Sequence, residues 1–283
     1  MRRSTTSAGT DVRSRRPALA VALLAETGIA AALLVSLASP EPAQVPTPPG
    51  VPAVSTTPTA DPGMRLPDGR TAALLALGGR HAGVVLDRIR AELPGAVEAV
   101  TAFWGPDWRR DIVIAVAASD EQFRVLAGGV GDIAATTTAE RIMFAPGAAA
   151  MSQGALRIVL RHELFHYAAR SQTAADAPRW LTEGVADYVG RPATDRRPQD
   201  AGALGQLPTD ADLDSPGAAR SLAYDRAWWF SRYVAETYGV PTLRALYVRA
   251  CGIGHPDVAT AVRDTLGADI DEVVAGWRRW LSG

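Results

Sequence analysis

The chain has 283 residues, a formal net charge of −1 and one cysteine, Cys251. This length is enough for one sizeable hydrophobic core with accessory segments. The near-zero charge, without a long basic run in the C-terminal part, argues against nucleic acid as the main partner. A single cysteine cannot form an internal disulfide, so we interpret Cys251 as a small buried apolar residue rather than a nucleophile.

The N-terminal region divides into three segments by composition. Residues 1–16 are rich in arginine, residues 17–38 are mostly apolar, and residues 39–66 are rich in Pro and Thr. The apolar segment is long enough to span a bilayer as a signal anchor, and the arginines before it predict a cytoplasmic N-terminal tail. Small residues at its end leave a cleaved signal peptide as the alternative. Either way, the rest of the chain is predicted to lie outside the cytoplasmic membrane, tethered by an extended linker or secreted after cleavage.

Residues 67–283 are predicted to form one folded domain of the α+β class. Its first part, residues 71–104, has the pattern of two helical stretches interrupted at Pro94. Residues 112–117 and 142–144 are short apolar runs, which predict two buried strands. The strands therefore come before the segment with the most informative motif.

The segment 162–166, HELFH, fits the H-E-x-x-H pattern. In this pattern two histidines four residues apart, His162 and His166, lie on one helix face and can bind a single metal ion. Ser152 suits the N-cap of this helix, and the apolar residues around most of its circumference predict that it is buried. Buried histidines need partners, and a metal ion would supply one. Glu163 points to the side of this face, where a carboxylate can accept a proton from water without binding the metal.

A second helix is predicted to follow a short loop and to begin near Pro178, because proline suits the first turn of a helix. Two helices joined by so short a loop pack antiparallel, which would bring Glu183 opposite the two histidines. A catalytic zinc site commonly has three protein ligands and an open fourth position, and Glu183 is the best third ligand. Asp187 is the alternative ligand, and it also suits the role of accepting a hydrogen bond from a metal-binding histidine.

The region after these helices carries weaker signals. Residues 191–220 are rich in Pro, Asp, Gly and Arg and are predicted to form a loop or insert near the cleft. Residues 222–238 and 267–281 have apolar residues at helical spacing and predict two helices. His255 lies in a predicted turn, and we interpret it as a surface histidine, with a second proton donor as the alternative.

The two central motifs resemble those of a known family. HELFH followed by PRWLTEGVADY at residues 178–188 resembles the gluzincin metallopeptidases, especially the bacterial peptidase MA-like domains. In that group the two motif histidines and a glutamate of the second helix bind Zn²⁺, and the motif glutamate is the catalytic base. The roles that the resemblance implies fall on the zinc ligands His162, His166 and Glu183, on the base Glu163, and on Asp187 as the partner of a zinc-binding histidine.

The resemblance also implies a fold and two further features. The fold would be zincin-like, as in thermolysin, with a small mixed sheet followed by a helical half and the zinc site on two helices between them. The strand at residues 142–144 would form the edge of the substrate cleft. Tyr224 resembles the tyrosine that supports the oxyanion in the aminopeptidase branch of the gluzincins, with a purely packing tyrosine as the alternative.

The predicted function is therefore zinc-dependent hydrolysis of peptide bonds outside the cytoplasmic membrane, on a peptide or protein substrate. The alternative is a non-catalytic module tethered in the cell envelope, with a structural or vestigial metal site. Glu163 argues against that alternative, because a purely structural site does not need a base. Hydrolysis of a non-peptide amide of the cell wall would use the same metal chemistry and differ in the shape of the cleft.

Overall fold

The computed structural model describes residues 63–128, 133–194, 198 and 200–283. The predicted anchor at residues 17–38, the arginine-rich tail and most of the linker lie outside the described residues, and these assignments stay predictions. Within the described part of the chain, no helix is both long and apolar enough to cross a membrane.

A small mixed sheet forms the N-terminal half of the described chain. Its five strands have the order β1-β2-β3-β5-β4. The inner pairs β2–β3 and β3–β5 are parallel, whereas the outer strands β1 and β4 pair antiparallel with their neighbours. Parallel neighbours need a crossover, and a long helix provides it between β2 and β3. The strands are β1 Met64–Arg65, β2 Thr71–Ala76, β3 Asp111–Val116, β4 Ala135–Thr137 and β5 Ile142–Phe144.

Helices make up most of the described chain after the sheet, which confirms the predicted α+β class with a helical second half. Helices α1 and α2 lie within the sheet region, and α3 to α10 follow it. Their bounds are α1 Ala82–Trp104, α2 Asp120–Ala127, α3 Gln153–Ala169, α4 Arg179–Gly190, α5 Ala201–Leu204, α6 Asp210–Asp214, α7 Ala218–Tyr238, α8 Val240–Cys251, α9 Val258–Leu266 and α10 Ile270–Ser282.

The prediction of two helical stretches before β3 is wrong. Thr71–Ala76 is the strand β2, which pairs with β3 along its whole length. Ala82–Trp104 is one helix that continues through Pro94. Proline removes one backbone hydrogen bond from a helix, but Leu93 and Val97 beside it are buried in the core. Packing of this face has outweighed the local cost of the proline, because burial of an apolar side chain stabilises by about 1.5–3 kcal/mol.

The edge of the sheet also differs from the prediction. Residues 142–144 form a strand, as expected, but this strand is β5 and lies between β3 and β4. The edge strand is β4, whose three residues are all buried. Threonine makes up two of them, so the short segment lacks the apolar pattern by which strands are predicted. β4 also contacts α3, and this contact brings it to the candidate site.

Residues 191–220 are less irregular than predicted. They include the short helices α5 and α6, which are held to the core by buried Leu204 and Leu213. The N-terminus of α6 carries a capping box between Thr209 and Asp212, a local signal for a helix start. The prediction of a loop or insert is thus wrong for these two segments.

The last predicted helices are present. α7 extends four residues before the predicted start, and α10 buries Val273, Trp277 and Leu281 on one face. Cys251, at the end of α8, is fully buried, which confirms its interpretation as a small apolar residue. Burial also raises the pKa of its thiol, which makes it a poor nucleophile.

Candidate metal centre

Helix α3 presents both histidines of the H-E-x-x-H motif on one face. Its N-terminus is capped as predicted, since the backbone N–H of Ala155 donates to Oγ of Ser152 at 3.1 Å. His162 and His166 are both buried. Their Nε2 atoms lie 3.1 Å apart, so the two imidazoles are directed at a common point, as the four-residue spacing requires.

Helix α4 brings Glu183 to the same point. Its Oε2 atom lies 3.2 Å from Nε2 of His162 and 3.5 Å from Nε2 of His166. The side chain of Glu183 is 1% exposed, and among the described residues no donor forms a hydrogen bond with Oε2. A buried carboxylate oxygen without a donor is costly. Either a cation between the three side chains or a proton on Nε2 of His162, 3.2 Å away, would remove that cost.

The three ligand atoms have nearly the spacing of a tetrahedral zinc site. Ligand atoms about 2.0–2.2 Å from a tetrahedral zinc lie roughly 3.3–3.6 Å from one another. The observed separations of 3.1, 3.2 and 3.5 Å differ from this range by no more than a few tenths of an ångström. Within the described residues, these three side chains are the group that could hold a metal ion. The donor set of two histidines and one glutamate is typical of catalytic zinc, so the residues present fit this ion.

Two glycines of α4 determine how closely it approaches its neighbours. A Cβ atom at Gly184 would lie 2.5 Å from the carbonyl oxygen of Ala227 in α7. A Cβ atom at Gly190 would lie 3.0 Å from the carbonyl oxygen of Ile158 in α3. Larger side chains at these positions would push the helices apart. The close packing of α4 between α3 and α7 is what places Glu183 opposite the histidines.

Asp187, one turn beyond Glu183, contacts the other nitrogen of His162. Its Oδ1 atom lies 2.8 Å from Nδ1 of His162. Because an ionised carboxylate only accepts hydrogen bonds, Nδ1 carries the proton and Nε2 is directed at the cluster. Oδ2 of Asp187 accepts a hydrogen bond from Arg191 at 2.5 Å, and Arg191 also donates to Asp225 at 2.6 Å. The geometry thus places Asp187 behind His162, and Glu183 among the ligand atoms.

His162, Glu183 and Asp187 stabilise one another in their charged forms. Burial alone would lower the pKa of His162, but contacts with Asp187 and Glu183 outweigh it and raise this pKa to about 10. Burial alone would raise the pKa of Glu183, but His166 and His162 lower it to about 2. The pKa of Asp187 is also held below its ordinary range, against burial, by Arg191 and His162. Both carboxylates are therefore ionised at neutral pH, as ligands and partners of a cation must be.

Glu163 lies beside this cluster and is held by the edge strand β4. Oγ1 of Thr137 lies 2.7 Å from Oε2 of Glu163 and 2.9 Å from the backbone carbonyl oxygen of the same residue. A hydroxyl has one hydrogen but can also accept. Thr137 can donate to the carboxylate when Glu163 is ionised, and can accept from it while donating to the carbonyl when Glu163 is protonated. Burial raises the pKa of Glu163, which suits a group that gains and releases a proton.

Solved zinc metallopeptidases match the structure of this chain in part. The M1 zinc metallopeptidase from Deinococcus radiodurans matches with a TM-score of 0.48 and 17% sequence identity, over 80% of this chain and 51% of that chain. A mutant of that enzyme bound to a Tyr-Ser-Ala substrate matches with a TM-score of 0.49 and 18% identity, over 80% and 52%. A two-domain M1 zinc metallopeptidase mutant bound to L-tryptophan gives the same values.

This similarity is limited to part of those proteins. The chain spans about half the length of the solved structures that it matches. No protein-family model matches the chain, and no curated protein matches its sequence. The cluster of His162, His166 and Glu183 fits a gluzincin site, which is the family that the motifs resemble.

A cavity of about 200 Å³ opens beside His166. Tyr247 of α8 lies in its wall, with its hydroxyl oxygen 2.9 Å from Oγ1 of Thr173. Burial raises the pKa of Tyr247, so the phenol stays protonated. Because Oγ1 of Thr173 donates to the carbonyl oxygen of Ala169 at 3.0 Å, the phenol donates its proton to Oγ1 of Thr173. Sequence analysis missed this residue, because α8 carries no motif and only tertiary packing brings it to the metal cluster.

Tyr224, the predicted oxyanion donor, occupies a different place. It lies in α7, one turn before Ala227, and is 2% exposed. It is not among the described residues that line the cavity beside His166. Its role stays a prediction, whereas Tyr247 shares a cavity with a candidate metal ligand.

His255 also lies away from the cluster. It lines a separate cavity together with Gly252 and Arg249. Its Nδ1 atom donates to the carbonyl oxygen of Pro256 at 2.7 Å, and its Nε2 atom is 3.5 Å from Asp176. Nothing in this arrangement points His255 at the candidate metal centre.

Proposed function

We propose that this protein is a zinc-dependent metallopeptidase that hydrolyses peptide bonds. His162, His166 and Glu183 hold Zn²⁺, and Glu163 is the general base. The observation that carries this proposal is the convergence of three buried ligand atoms beside a fourth buried carboxylate that is not one of them. A structural zinc site commonly takes four protein ligands, whereas a catalytic site takes three and leaves room for water.

Each residue around the proposed metal has a separate role in amide hydrolysis. A bound zinc ion supplies Lewis acidity toward the carbonyl oxygen and the attacking water. Glu163 accepts a proton from the water and then passes it to the leaving amine, which its raised pKa favours. Thr137 holds the carboxylate of Glu163 in both protonation states. Asp187 keeps His162 in the tautomer that presents Nε2 to the metal.

Two further features of the site bear on a peptide substrate. The edge strand β4 ends at Thr137, which contacts Glu163, but its three residues are buried, so β4 positions the proposed base rather than pairing with a substrate. The protonated phenol of Tyr247 can donate to the oxygen on which negative charge develops once it turns away from Thr173, to which it donates in this structure. We place this role on Tyr247 ahead of Tyr224, because Tyr247 lines the cavity that His166 also lines.

We also propose that the reaction takes place outside the cytoplasmic membrane. The support is the arginine-rich tail at residues 1–16 followed by the apolar segment at residues 17–38. Intact cells in which added protease degrades the C-terminal domain would agree with this proposal, and protection of that domain until the cells are lysed would contradict it.

The test of function combines metal content with hydrolysis by the purified full chain. We expect about one zinc ion per chain by mass spectrometry, and its loss in His162→Ala and Glu183→Ala. Glu163→Gln should keep the zinc and lower peptide hydrolysis by a factor of about 10² to 10⁴, because it removes only the proton acceptor. A protein that binds no zinc would refute the proposal. Zinc retained in both the wild type and Glu163→Gln, with no hydrolysis by either, would favour the non-catalytic envelope module.

A further inference from the structure

The cavity beside His166 has a distinct chemical character. Three alanines form part of its wall, and two arginines, Arg170 and Arg179, line it as well. Small side chains leave the volume open, while the guanidinium groups supply positive charge. The alanines are Ala174, Ala175 and Ala177.

Arg170 reaches the cavity because it directly follows Ala169, the last residue of α3, with its backbone still in the helical conformation. It follows His166 by four residues and His162 by eight, so the three side chains fall on the same helix face. Each step of four residues advances about 6 Å along the axis. Arg170 therefore lies one turn beyond the second candidate ligand, and both residues line the cavity.

The two arginines differ in what they already bind. Arg179 forms an ion pair with Asp214 at 3.0 Å. Among the described residues, no carboxylate pairs with Arg170, which is half-buried at the end of α3. Asp176, an acid of the loop before α4, is 88% exposed and lies 3.5 Å from His255. Arg170 thus keeps its full hydrogen-bonding capacity for a ligand in the cavity.

The size of the cavity restricts what that ligand can be. Its volume of about 200 Å³ is below the roughly 300–1,000 Å³ of pockets that hold drug-sized ligands. It can accept a group the size of one amino-acid residue and not a longer segment. Guanidinium groups bind planar carboxylates through paired hydrogen bonds, so a carboxylate is the group that this lining fits best.

We propose that this cavity is the subsite for a substrate carboxylate adjacent to the scissile bond, with Arg170 as its specificity-determining residue. The carboxylate belongs to an acidic side chain or to the C-terminus of the peptide. This inference rests on the proposed function, since it makes the cavity part of a peptidase cleft. It names a substrate class that the metal cluster alone does not select.

The test measures binding and does not depend on turnover. The probes are acetyl-pentaalanine amide, five versions with one Asp, five versions with one Asn, and acetyl-pentaalanine with a free carboxylate. Each is titrated by calorimetry into the zinc-loaded full chain carrying Glu163→Gln. We expect one of two results. Either one Asp peptide binds about 10- to 100-fold more tightly than its Asn counterpart, or the peptide with a free carboxylate binds more tightly than the amide by the same factor. A hydrogen bond between charged groups contributes a factor of about this size. Tighter binding of an Asp peptide would identify an acidic side chain as the group that enters the cavity, and tighter binding of the free carboxylate would identify a peptide C-terminus.

Variants of Arg170 then locate the source of the preference. Arg170→Gln should abolish it, and Arg170→Lys, which keeps the charge at the helix end, should retain part of it. Arg157→Gln is the matched control, because it removes an exposed arginine of the same helix that pairs with Glu92. The control should keep the full preference.

Three results would overturn the inference. These are equal binding of all the peptides, absence of binding by any of them, and a preference that survives in Arg170→Gln. The zinc content of the same samples and the cleavage of acetyl-pentaalanine amide by the wild type report separately on the proposed function. A zinc enzyme that cleaves without any carboxylate preference would therefore refute the subsite alone.

Discussion

Thr137 is the side chain on which the orientation of Glu163 depends. Its hydroxyl contacts both the carboxylate and the backbone carbonyl of Glu163, at a position that is 4% exposed. Thr137→Val keeps the shape and removes the hydroxyl. We expect kcat/KM to fall by about 10- to 100-fold, the value of one hydrogen bond to a charged group, with zinc content unchanged.

The pH profile of this variant distinguishes loss of the hydrogen bond from a packing defect. Burial raises the pKa of Glu163, and the hydrogen bond from Thr137 opposes that effect. Removing the bond raises the pKa further, so the acidic limb of kcat/KM should move to higher pH. Thr137→Ser retains the hydroxyl and should restore both the rate and the profile. Full activity of Thr137→Val would show that Glu163 needs no partner.

Residue roles were predictable where they depend on local spacing. His162 and His166 meet because the helix repeat places them on one face, and Glu183 and Asp187 share a face of the next helix for the same reason. Thr137 contacts Glu163 across 26 positions of sequence. Such contacts depend on how separate elements pack, and neither residue lies in a sequence pattern from which the contact could be predicted. Tyr247 likewise reaches the cavity beside His166 only through the packing of separate elements.

The packing of α4 between its neighbours sets the geometry of the metal centre. At Gly184, an added Cβ atom would meet the backbone of Ala227 at 2.5 Å and Oγ of Ser231 at 2.8 Å. Because backbone atoms cannot rotate away, α7 would have to shift. We expect Gly184→Ala to lower the free energy of unfolding by about 1–3 kcal/mol and to weaken zinc binding, since the adjacent Glu183 moves with the helix.

Gly154 of α3 offers a matched control for the substitution at Gly184. Gly154 has open space around it, with nothing within 4 Å of an added Cβ atom. Gly154→Ala should be neutral or stabilise by up to about 1 kcal/mol, because alanine favours the helix. Urea denaturation of both variants gives the comparison. Equal stability of the two would mean that the helices adjust without cost and that Gly184 does not position Glu183.

The elements that sequence patterns failed to predict are those in which tertiary contacts outweigh local preference. α1 continues through Pro94, because the residues beside the proline are buried. β4 is short and mostly threonine, and it exists as a strand because it pairs with β5 and covers α3. α3 and α4 were predictable because each has a start signal and a long apolar surface.

At the scale of the whole molecule, the candidate metal centre lies where the two halves of the fold meet. α3 packs against α1 and the strands β4 and β5, whereas α4 packs against α7 and α8. A zinc ion held by ligands from both α3 and α4 therefore connects the sheet region to the helical region. Since the unfolded chain lacks the assembled site, zinc should stabilise the protein by about 2.7 kcal/mol at a hundredfold excess over its Kd.

That stabilisation should grow as the pH rises. In the metal-free protein the pKa of His162 is raised from 6.5 to about 10. Its protonated form stabilises the fold fully below the ordinary pKa, and this contribution is lost as the pH rises toward 10. Zinc must displace this proton, whereas Glu183, with a pKa of about 2, has none to lose near neutrality. Each proton displaced adds about 1.4 kcal/mol of zinc-dependent stability per pH unit.

Denaturation with and without excess zinc, between about pH 6 and pH 8, measures the increment, which is the increase in the free energy of unfolding that zinc causes. His162→Ala is the control and should show almost none, because the site has lost one of its three ligands. An increment that stays constant or falls with rising pH would contradict the assignment of His162 as the protonated group that zinc replaces. An increment that rises in the wild type and is absent from the control would tie the stability of the whole fold to the three side chains at its centre.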